Sequence, residues 1–198
     1  MEMPPLQTQR LSIRPFVRDD LDVVHRILDI ELRDVDWGEP SMTLDERARW
    51  LEWTVLGYEE LEKLRQPPYG DRAIVLKESN ELIGACGFVP LLAPFEQLPT
   101  HQQMMTTKTS LNATAFGLYY AVSPQHQGCG YATEAAKALI DYGFTHLNLK
   151  RIMAMTRYTN AASIRVMEKA GMHIEKNPYP EPPYLQIVGI IVSRANAS

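Results

Sequence analysis

The sequence lacks several features that mark whole classes of protein. It has only two cysteines, Cys86 and Cys129, in 198 residues, which is too few for a disulfide framework, so we expect a reducing compartment, the cytosol. No apolar run approaches the roughly 18–20 residues of a membrane-spanning helix. The N-terminus has neither a basic start nor an apolar stretch. We therefore expect no membrane span and no secretory signal.

Positive charge is not in excess either. Lys and Arg number 20 against 24 Asp and Glu, which gives a net charge of -4. A nucleic-acid-binding domain usually carries a basic face, so this class is disfavoured. This charge balance fits an enzyme that acts on small molecules or one whose acceptor is cationic. The sequence shows no repeat of a solenoid or propeller, and its 45% hydrophobic content is enough for a folded core.

Hydrophobic periodicity predicts one α/β domain over residues 1–198, with four helices and seven strands in the order β-α-α-β-β-β-α-β-α-β-β. The second helix is predicted to begin after Thr43, which forms a capping box with Glu46. Residues 90–112 contain three prolines and show no periodicity. We expect a long irregular loop there.

A predicted strand that ends at Val122 runs into a glycine turn that begins an alanine-rich helix. Gly128 and Gly130 allow the backbone to curl tightly. The first amides of a helix lack intrahelical partners and lie at the positive end of its dipole. This pattern predicts a site for phosphate or pyrophosphate, although a helix start that only needs flexible residues explains the glycines equally well. Thr133 replaces the third glycine of a dinucleotide fingerprint, and no P-loop Gly-Lys-Ser/Thr follows.

Three blocks of the sequence resemble the GNAT superfamily of N-acetyltransferases. The first is Gln125-x-x-Gly128-x-Gly130, and the second is Asn160-x-x-Ser163-x-x-x-Met167-x-Lys169-x-Gly171-Met172. The third, Thr8-Gln9-Arg10-Leu11-Ser12-Ile13-Arg14-Pro15-Phe16, is similar to the first strand of the RimJ/RimL branch, which acetylates protein N-terminal amines. The segment Ile83-Gly84-x-Cys86-Gly87 also fits that branch. The resemblance spans residues 8–192 in the family's order.

The resemblance implies a single domain with a mixed, mostly antiparallel sheet of six to seven strands and about four helices. A V-shaped splay is expected between the fourth strand, which ends near Val122, and the fifth, at 151–156. Acetyl-CoA would bind in this gap as a co-substrate, without a metal ion. The main chain of Ala121 and Val122 would pair with the pantetheine arm. The residues expected to hold the pyrophosphate are Gln127, Gly128, Cys129, Gly130, Tyr131, Ala132 and Thr133. Spacing favours Gln127 over Gln125 for the phosphate contact.

The resemblance also implies direct transfer of the acetyl group, with the oxyanion bound by amides near Val122. In the family an asparagine, here Asn160, binds the CoA arm; the same residue is a typical helix N-cap, and the two roles are compatible. Many members carry a tyrosine seven residues later as the proton donor to the thiolate, but Met167 stands there. Ser163 is the alternative donor and Tyr158 the second. The structural alternatives are that Ser163 only supports the start of the helix and that Tyr158 only packs.

The sequence gives no clear general base, because Gly117 stands where related enzymes often carry a glutamate. An α-amine with a pKa of about 7.8 costs about 1 kcal/mol to deprotonate at pH 7, whereas a lysine at about 10.4 costs about 4.6 kcal/mol. We therefore favour the α-amine of a protein or peptide, or a small amine, as acceptor. The residues expected at the acceptor site are Asp36, Trp37, Glu39 and Tyr120. The alternatives are that the two carboxylates lie in a solvated loop and that Trp37 serves in ordinary packing.

Two functional hypotheses follow. The first is an acetyl-CoA-dependent N-acetyltransferase, monomeric or homodimeric, with no nucleic-acid or membrane partner. The second is a catalytically silent acyl-CoA-binding module that acts through a protein partner. The second is motivated by Met167 and Gly117, which replace expected catalytic groups.

Overall fold

An eight-stranded sheet lies at the centre of the part of the chain that the computed structural model describes, residues 3–33, 41–99 and 113–193. The strands are β1 (Leu6–Gln7), β2 (Leu11–Pro15), β3 (Asp71–Leu76), β4 (Leu82–Ala93), β5 (Ala113–Val122), β6 (Arg151–Thr156), β7 (His173–Lys176) and β8 (Ile187–Val192). Their order is β1-β2-β3-β4-β5-β6-β8-β7. Only β5 and β6 are parallel among these neighbours. The expected mixed sheet is confirmed, with the short β1 as an additional strand.

Four α-helices accompany the sheet in the described residues: α1 (Leu21–His25), α2 (Leu44–Lys63), α3 (Tyr131–Thr145) and α4 (Ala161–Lys169). The predicted capping box begins α2, since Thr43 Oγ1 accepts from the Glu46 amide at 3.3 Å and Glu46 Oε2 accepts from the Thr43 amide at 2.8 Å. Asn160 Oδ1 caps α4 by accepting from the Ser163 amide at 3.0 Å. Helix α1 continues directly into a π-helical turn, Arg26–Glu31.

The two faces of the sheet are covered by different helices. Val24 of α1 and Leu51 of α2 pack against Ala73 and Ala85 on one face. Residues of α3 and α4 cover the other face, among them Leu139 and Met167. Because side chains alternate along a strand, β5 divides its residues between the faces. Tyr119 and Ala121 lie on the α1/α2 face, and Leu118, Tyr120 and Val122 lie on the α3/α4 face.

The loop expected over 90–112 begins later than the sequence indicates. Strand β4 continues to Ala93 and pairs with the first residues of β5. Pro90 is tolerated because it lies opposite Phe116, at a position that does not bond across the ladder between β4 and β5. The bonding positions are the alternate ones, such as Val89 with Gly117. The recorded pairing of β3 with β4 ends at Asp71 and Gly87, so no ladder bond is needed on the other side either. Residues 100–112 lie outside the described part of the chain.

A buried ion pair fixes α2 against the segment that follows α1. Arg47 Nε and Nη2 donate to the two carboxylate oxygens of Asp29, each at 2.8 Å, and both side chains are only 1% exposed. Asp29 Oδ1 also accepts from the Met42 amide at 2.8 Å. The pair therefore sets the position of α2, which forms one wall of the cavity described below.

Removal of one partner of this pair should destabilise the fold strongly. The change Arg47→Met leaves the Asp29 carboxylate buried without its cation, so we expect a loss of about 3–5 kcal/mol in the free energy of unfolding. Urea unfolding followed by circular dichroism measures it. Arg18→Met is the matched control, because Arg18 pairs with Glu52 at the surface, and its midpoint should stay close to that of the wild type. Equal losses in the two variants would contradict the assignment.

Candidate active site

A glycine turn connects β5 to α3. Gly128 and Gly130 have φ of +76° and +84°, the left-handed region that favours glycine, and Gly130 is the N-cap of α3. A Cβ built at Gly128 would meet no atom within 4 Å. The turn is therefore tightly curled and open on its outer side.

The first amides of α3 point out of the turn without protein partners. Within the described residues, no hydrogen bond joins the amide nitrogens of residues 130–133 to a protein acceptor. The turn is closed on either side of them, since the Gln127 amide donates to Pro124 O at 3.3 Å and the Glu134 amide donates to Gly130 O at 3.0 Å. Four unpartnered amides at the positive end of a 15-residue helix fit an anion such as a diphosphate.

Arg10 clamps the turn to the start of β2. Its Nη1 donates to Cys129 O at 3.0 Å, and its guanidinium lies 4.5 Å from the centre of the Tyr131 ring. Its amide and Nε donate to the Glu134 carboxylate at 2.9 and 2.8 Å, and Thr8 Oγ1 donates to the same carboxylate at 2.6 Å. Partial burial opposes ionisation of Glu134, but these hydrogen bonds hold its pKa below the ordinary value. Glu134 is thus engaged in the clamp, away from the role of a base.

The expected V-shaped splay lies between β5 and β6. The two strands pair only at Phe116 with Ile152 and at Gly117 with Met153. Both strands continue on their other sides, β5 with β4 as far as Val122 and β6 with β8 as far as Thr156. One edge of β5 beyond Gly117 is therefore open to a ligand.

The main-chain groups of β5 that face the gap can be assigned from its ladder with β4. The Ser123 amide donates to Ile83 O at 2.8 Å, and bonding residues alternate along a strand. Hence Leu118, Tyr120 and Val122 direct their N–H and C=O groups towards the gap.

The expectation that Ala121 pairs with the pantetheine arm is wrong. Its main chain faces β4, and a Cβ at Gly84 would lie only 2.2 Å from Ala121 O. Tyr120 takes its place beside Val122. The side chain of Gln127 also differs from the expected phosphate contact, because its Nε2 donates to Val122 O at 3.0 Å and ties the turn to the end of the strand. Cys129 is an exposed thiol whose Sγ lies 3.6 Å from Gln127 O.

Tyr120 and Ser163 meet across the gap side of the sheet. Tyr120 Oη lies 3.0 Å from Ser163 Oγ and donates to Ser163 O at 3.1 Å. Burial raises the pKa of Tyr120 to about 12, against the smaller opposing effect of Ser163, so the phenol is protonated at neutral pH. The expected place of Tyr120 in the acceptor site is wrong, since its side chain lies on the α3/α4 face.

Tyr158 packs away from this pair. Its hydroxyl donates to the main-chain carbonyl of Asn177, and Lys176 Nζ lies 5.1 Å from the centre of its ring. The expectation that Tyr158 serves as a second proton donor is therefore not met by the geometry, and the packing alternative describes it.

A cavity of about 900 Å³ lies on the α1/α2 face. Both sides of the splay contribute to its lining, β5 through Gly117 and Tyr119 and β6 through Met155. Trp50 and Trp53 of α2 form an aromatic wall. Gly117 stands where related enzymes often carry a glutamate as general base. The side chain of Leu91 covers this position, because a Cβ at Gly117 would lie 2.3 Å from it.

Sequence reasoning missed Tyr119 and could have found it. Once Tyr120 is placed on the α3/α4 face, strand alternation puts Tyr119 on the opposite face, in the cavity. Asp36, Trp37 and Glu39, the other expected acceptor-site residues, lie outside the described part of the chain. Among the residues that are described, no group of His, Cys, Asp or Glu converges as a metal site. None of the described helices is both long and apolar enough to cross a bilayer.

The profile of the acetyltransferase (GNAT) domain matches residues 10–173. A splayed sheet with a glycine turn and unpartnered amides at its edge agrees with this match. The protein therefore belongs to the GNAT family and is an N-acetyltransferase of that family, whose co-substrate is acetyl-CoA.

Three proteins illustrate the relationship. The chain is 35% identical over 185 residues to the FsC-acetyl coenzyme A-N(2)-transacetylase of Aspergillus fumigatus, which covers 91% of this chain and 71% of that protein. It is 43% identical over 54 residues to the spermidine N(1)-acetyltransferase of Escherichia coli, covering 27% and 29%. The crystal structure of ribosomal-protein-S5-alanine acetyltransferase from Vibrio fischeri superposes with a TM-score of 0.67 at 19% identity, over 97% and 98% of the two chains.

These likenesses do not single out one branch of the family. Several curated relatives, including YkkB of Bacillus subtilis, match over stretches that cover only 29% to 48% of their own length. The likeness to the ribosomal-protein enzyme shows the fold alone. The family is therefore confirmed, and the RimJ/RimL branch stays a prediction.

The Glu134 clamp predicts a pH-dependent contribution to stability. Because the pKa of Glu134 is lowered in the folded state, the contribution is present above its unfolded pKa of about 4.3 and is lost as the pH falls through the folded value. Glu134→Gln should cost about 1 kcal/mol at pH 7 and nothing below about pH 3. Urea unfolding between pH 7 and pH 3 measures this. Glu78→Gln, which removes an exposed carboxylate in the β3–β4 turn, is the matched control for the loss of one negative charge. A Glu134→Gln penalty that stays constant with pH would refute the clamp.

Proposed function

We propose that the protein transfers the acetyl group of acetyl-CoA directly to a primary amine, with the α-amine of a protein or peptide as the favoured acceptor and a small amine as the alternative. One observation carries the proposal. The unpaired edge of β5 lies between a turn with unpartnered amides and a cavity that opens on the other face of the sheet. A donor and an acceptor could thus approach the same strand from two sides.

The residues of the turn fit the diphosphate of acetyl-CoA. We assign its binding to the amides of residues 130–133 and to the open backbone at Gly128 and Cys129. The pantetheine arm would extend the sheet by pairing with the main chain of Tyr120 and Val122. The carbonyl oxygen of Asn160 is used in the helix cap, so its side-chain NH₂ is available to the same arm.

Acetyl-CoA, when bound, supplies an activated thioester. The Val122 amide and the Tyr120 carbonyl are the groups that would pair with the arm. The Tyr120 amide, which faces the gap near Val122, would stabilise the oxyanion that forms during acyl transfer, an effect worth about 3 kcal/mol per donor in other enzymes. The enzyme also holds both substrates in one place, which contributes on the order of 7–11 kcal/mol in well-oriented reactions.

We assign Ser163 as the proton donor to the leaving thiolate, with Tyr120 as the residue that supports it. The two hydroxyls are 3.0 Å apart, and the raised pKa of Tyr120 keeps its proton in place at neutral pH. Met167, where many relatives carry a tyrosine, is fully buried and packs against Gly189 instead.

The acceptor argument rests on the missing glutamate at Gly117. With the position covered by Leu91, the cheaper deprotonation of an α-amine favours that acceptor. The relatives act on different amines by name, spermidine in one and a ribosomal protein in another, so both acceptor classes belong in a screen. We further propose a cytosolic location, because both cysteines are free thiols and one of them is exposed.

Binding of acetyl-CoA should raise the melting temperature, by roughly 5–10 °C at a hundred times Kd. Gly130→Glu should remove this shift, because the new carboxylate would lie beside the diphosphate. Gly171→Glu is the matched control, since Gly171 also has a left-handed φ, +85°, but lies beyond the C-terminal end of α4. Loss of the shift in both variants, or in neither, would count against the proposed cradle.

Turnover should depend on Ser163. Ser163→Ala should lower kcat by about 100-fold while it leaves the acetyl-CoA melting shift intact, because the Asn160 cap uses the Ser163 amide. Thiol release with peptides that begin with Ala, Ser or Thr, and with spermidine, measures kcat. Tyr158→Phe should retain activity. Unaltered kcat in Ser163→Ala would eliminate this donor, and acetyl-CoA binding without turnover on any amine would favour a silent binding module.

A further inference from the structure

Apolar side chains from several elements surround the cavity on the α1/α2 face. They include Trp50, Trp53, Leu61 and Leu64 of α2, Val89 of β4 and Met155 of β6. The cavity volume of about 900 Å³ is large for a small-molecule site, since such pockets usually hold about 300–1,000 Å³. The cavity therefore has room for a group much larger than the amine that reacts.

Four large apolar side chains of this lining are exposed to solvent. Trp53 is 71% exposed and Leu64 is 67% exposed, and Val89 and Tyr184 are 44% and 43% exposed. They come from three separate segments, namely α2, β4 and the 3₁₀ turn before β8, yet they share one cavity. Exposed apolar surface that is gathered around a concave site commonly marks a place where a ligand binds.

The charged side chains of the described lining are already engaged. They are two cations and two anions, namely Arg47, Arg157, Glu60 and Asp71. Arg47 is paired with the buried Asp29, and Glu60 is paired with Lys63 at 2.6 Å. Asp71 and Arg157 each take part in an interaction as well. Within the described residues, the lining therefore has no unpaired carboxylate for a second ammonium group of the acceptor.

Trp50 forms a fixed part of the apolar wall. The Arg47 guanidinium lies 4.7 Å from the centre of its ring, and the ring of Phe16 meets it edge-on at 5.5 Å between centroids. Because a cation already lies over this indole, its remaining surface is better suited to an apolar neighbour than to another cation. Trp53 follows three residues later and so lies on the same side of α2.

This apolar lining is continuous with the edge at which we place acetyl transfer. Gly117 and Tyr119 of β5 and Met155 of β6 lie on the two sides of the splay, and all three line the cavity. An amine that reacts at the β5 edge therefore has its substituent in the cavity, between the sheet and α2.

We propose that the acceptor is a primary amine that carries a large apolar group, and that the cavity binds this group with Trp53 and Leu64 at its mouth. The inference rests on the proposed function. For a peptide acceptor, it means an N-terminal α-amine that is followed by a large apolar side chain. A polyamine would leave its further charges beside apolar walls, at a cost in desolvation.

The test compares alanyl-phenylalaninamide with alanyl-argininamide, which present the same α-amine and differ in the second side chain. In the presence of acetyl-CoA, we expect kcat/KM to favour the phenylalanine peptide at least tenfold, mainly through KM, as burial of one large apolar side chain predicts. Trp53→Glu should bring this ratio to one or below, and Trp53→Phe should retain a clear preference. Leu56→Glu is the matched control, because Leu56 is exposed on the same helix and is not part of the cavity lining; it should keep the wild-type ratio.

Calorimetric titration of the CoA-bound protein provides a readout that does not require turnover. The phenylalanine peptide should bind with a negative change in heat capacity, the mark of apolar burial, and Trp53→Glu should reduce this change. The acetyl-CoA melting shift confirms that each variant is folded.

Three results would overturn the inference. They are a wild-type ratio near one or in favour of arginine, a ratio that Trp53→Glu leaves unaltered, and a ratio that Leu56→Glu changes as much as Trp53→Glu does. Failure of the proposed function gives a different result, since the protein would then bind the phenylalanine peptide selectively and release no thiol with either peptide.

Discussion

The loss of pairing between β5 and β6 beyond Gly117 is the constraint on which the site depends. Because both strands remain held on their outer sides, by β4 and by β8, the gap between them is part of the folded sheet. The N–H groups along its β5 edge are strong donors that need a partner. A ligand that enters as an additional strand supplies one.

The glycine turn adds direction to this edge. It brings the unpartnered amides of α3 next to the end of β5, and Arg10 fastens it through Cys129 and Glu134. Charge and hydrogen bonding thus meet at one end of the gap, where a diphosphate fits. The cavity lies towards the other end, beside Gly117 and Tyr119. The proposed reaction needs this separation, because it brings two substrates to one strand.

Two adjacent tyrosines illustrate how strand alternation distributes roles. Tyr120 contacts Ser163 on the α3/α4 face, whereas Tyr119 lies in the cavity on the α1/α2 face. Neither position bears a charge, and both have a pKa raised by burial. Their surroundings differ accordingly, since Tyr120 meets a serine hydroxyl and Tyr119 is part of the cavity lining.

The sequence by itself determined the mixed α/β fold, the capping box of α2 and the glycine turn, because each depends on residues close together in the chain. It also identified the family through blocks that keep their order. Only the tertiary structure decided which groups of β5 face the gap, that Ala121 turns to β4, and that Tyr158 packs on Asn177. Those facts depend on register and on contacts between residues far apart in sequence, which a period of hydrophobicity does not encode.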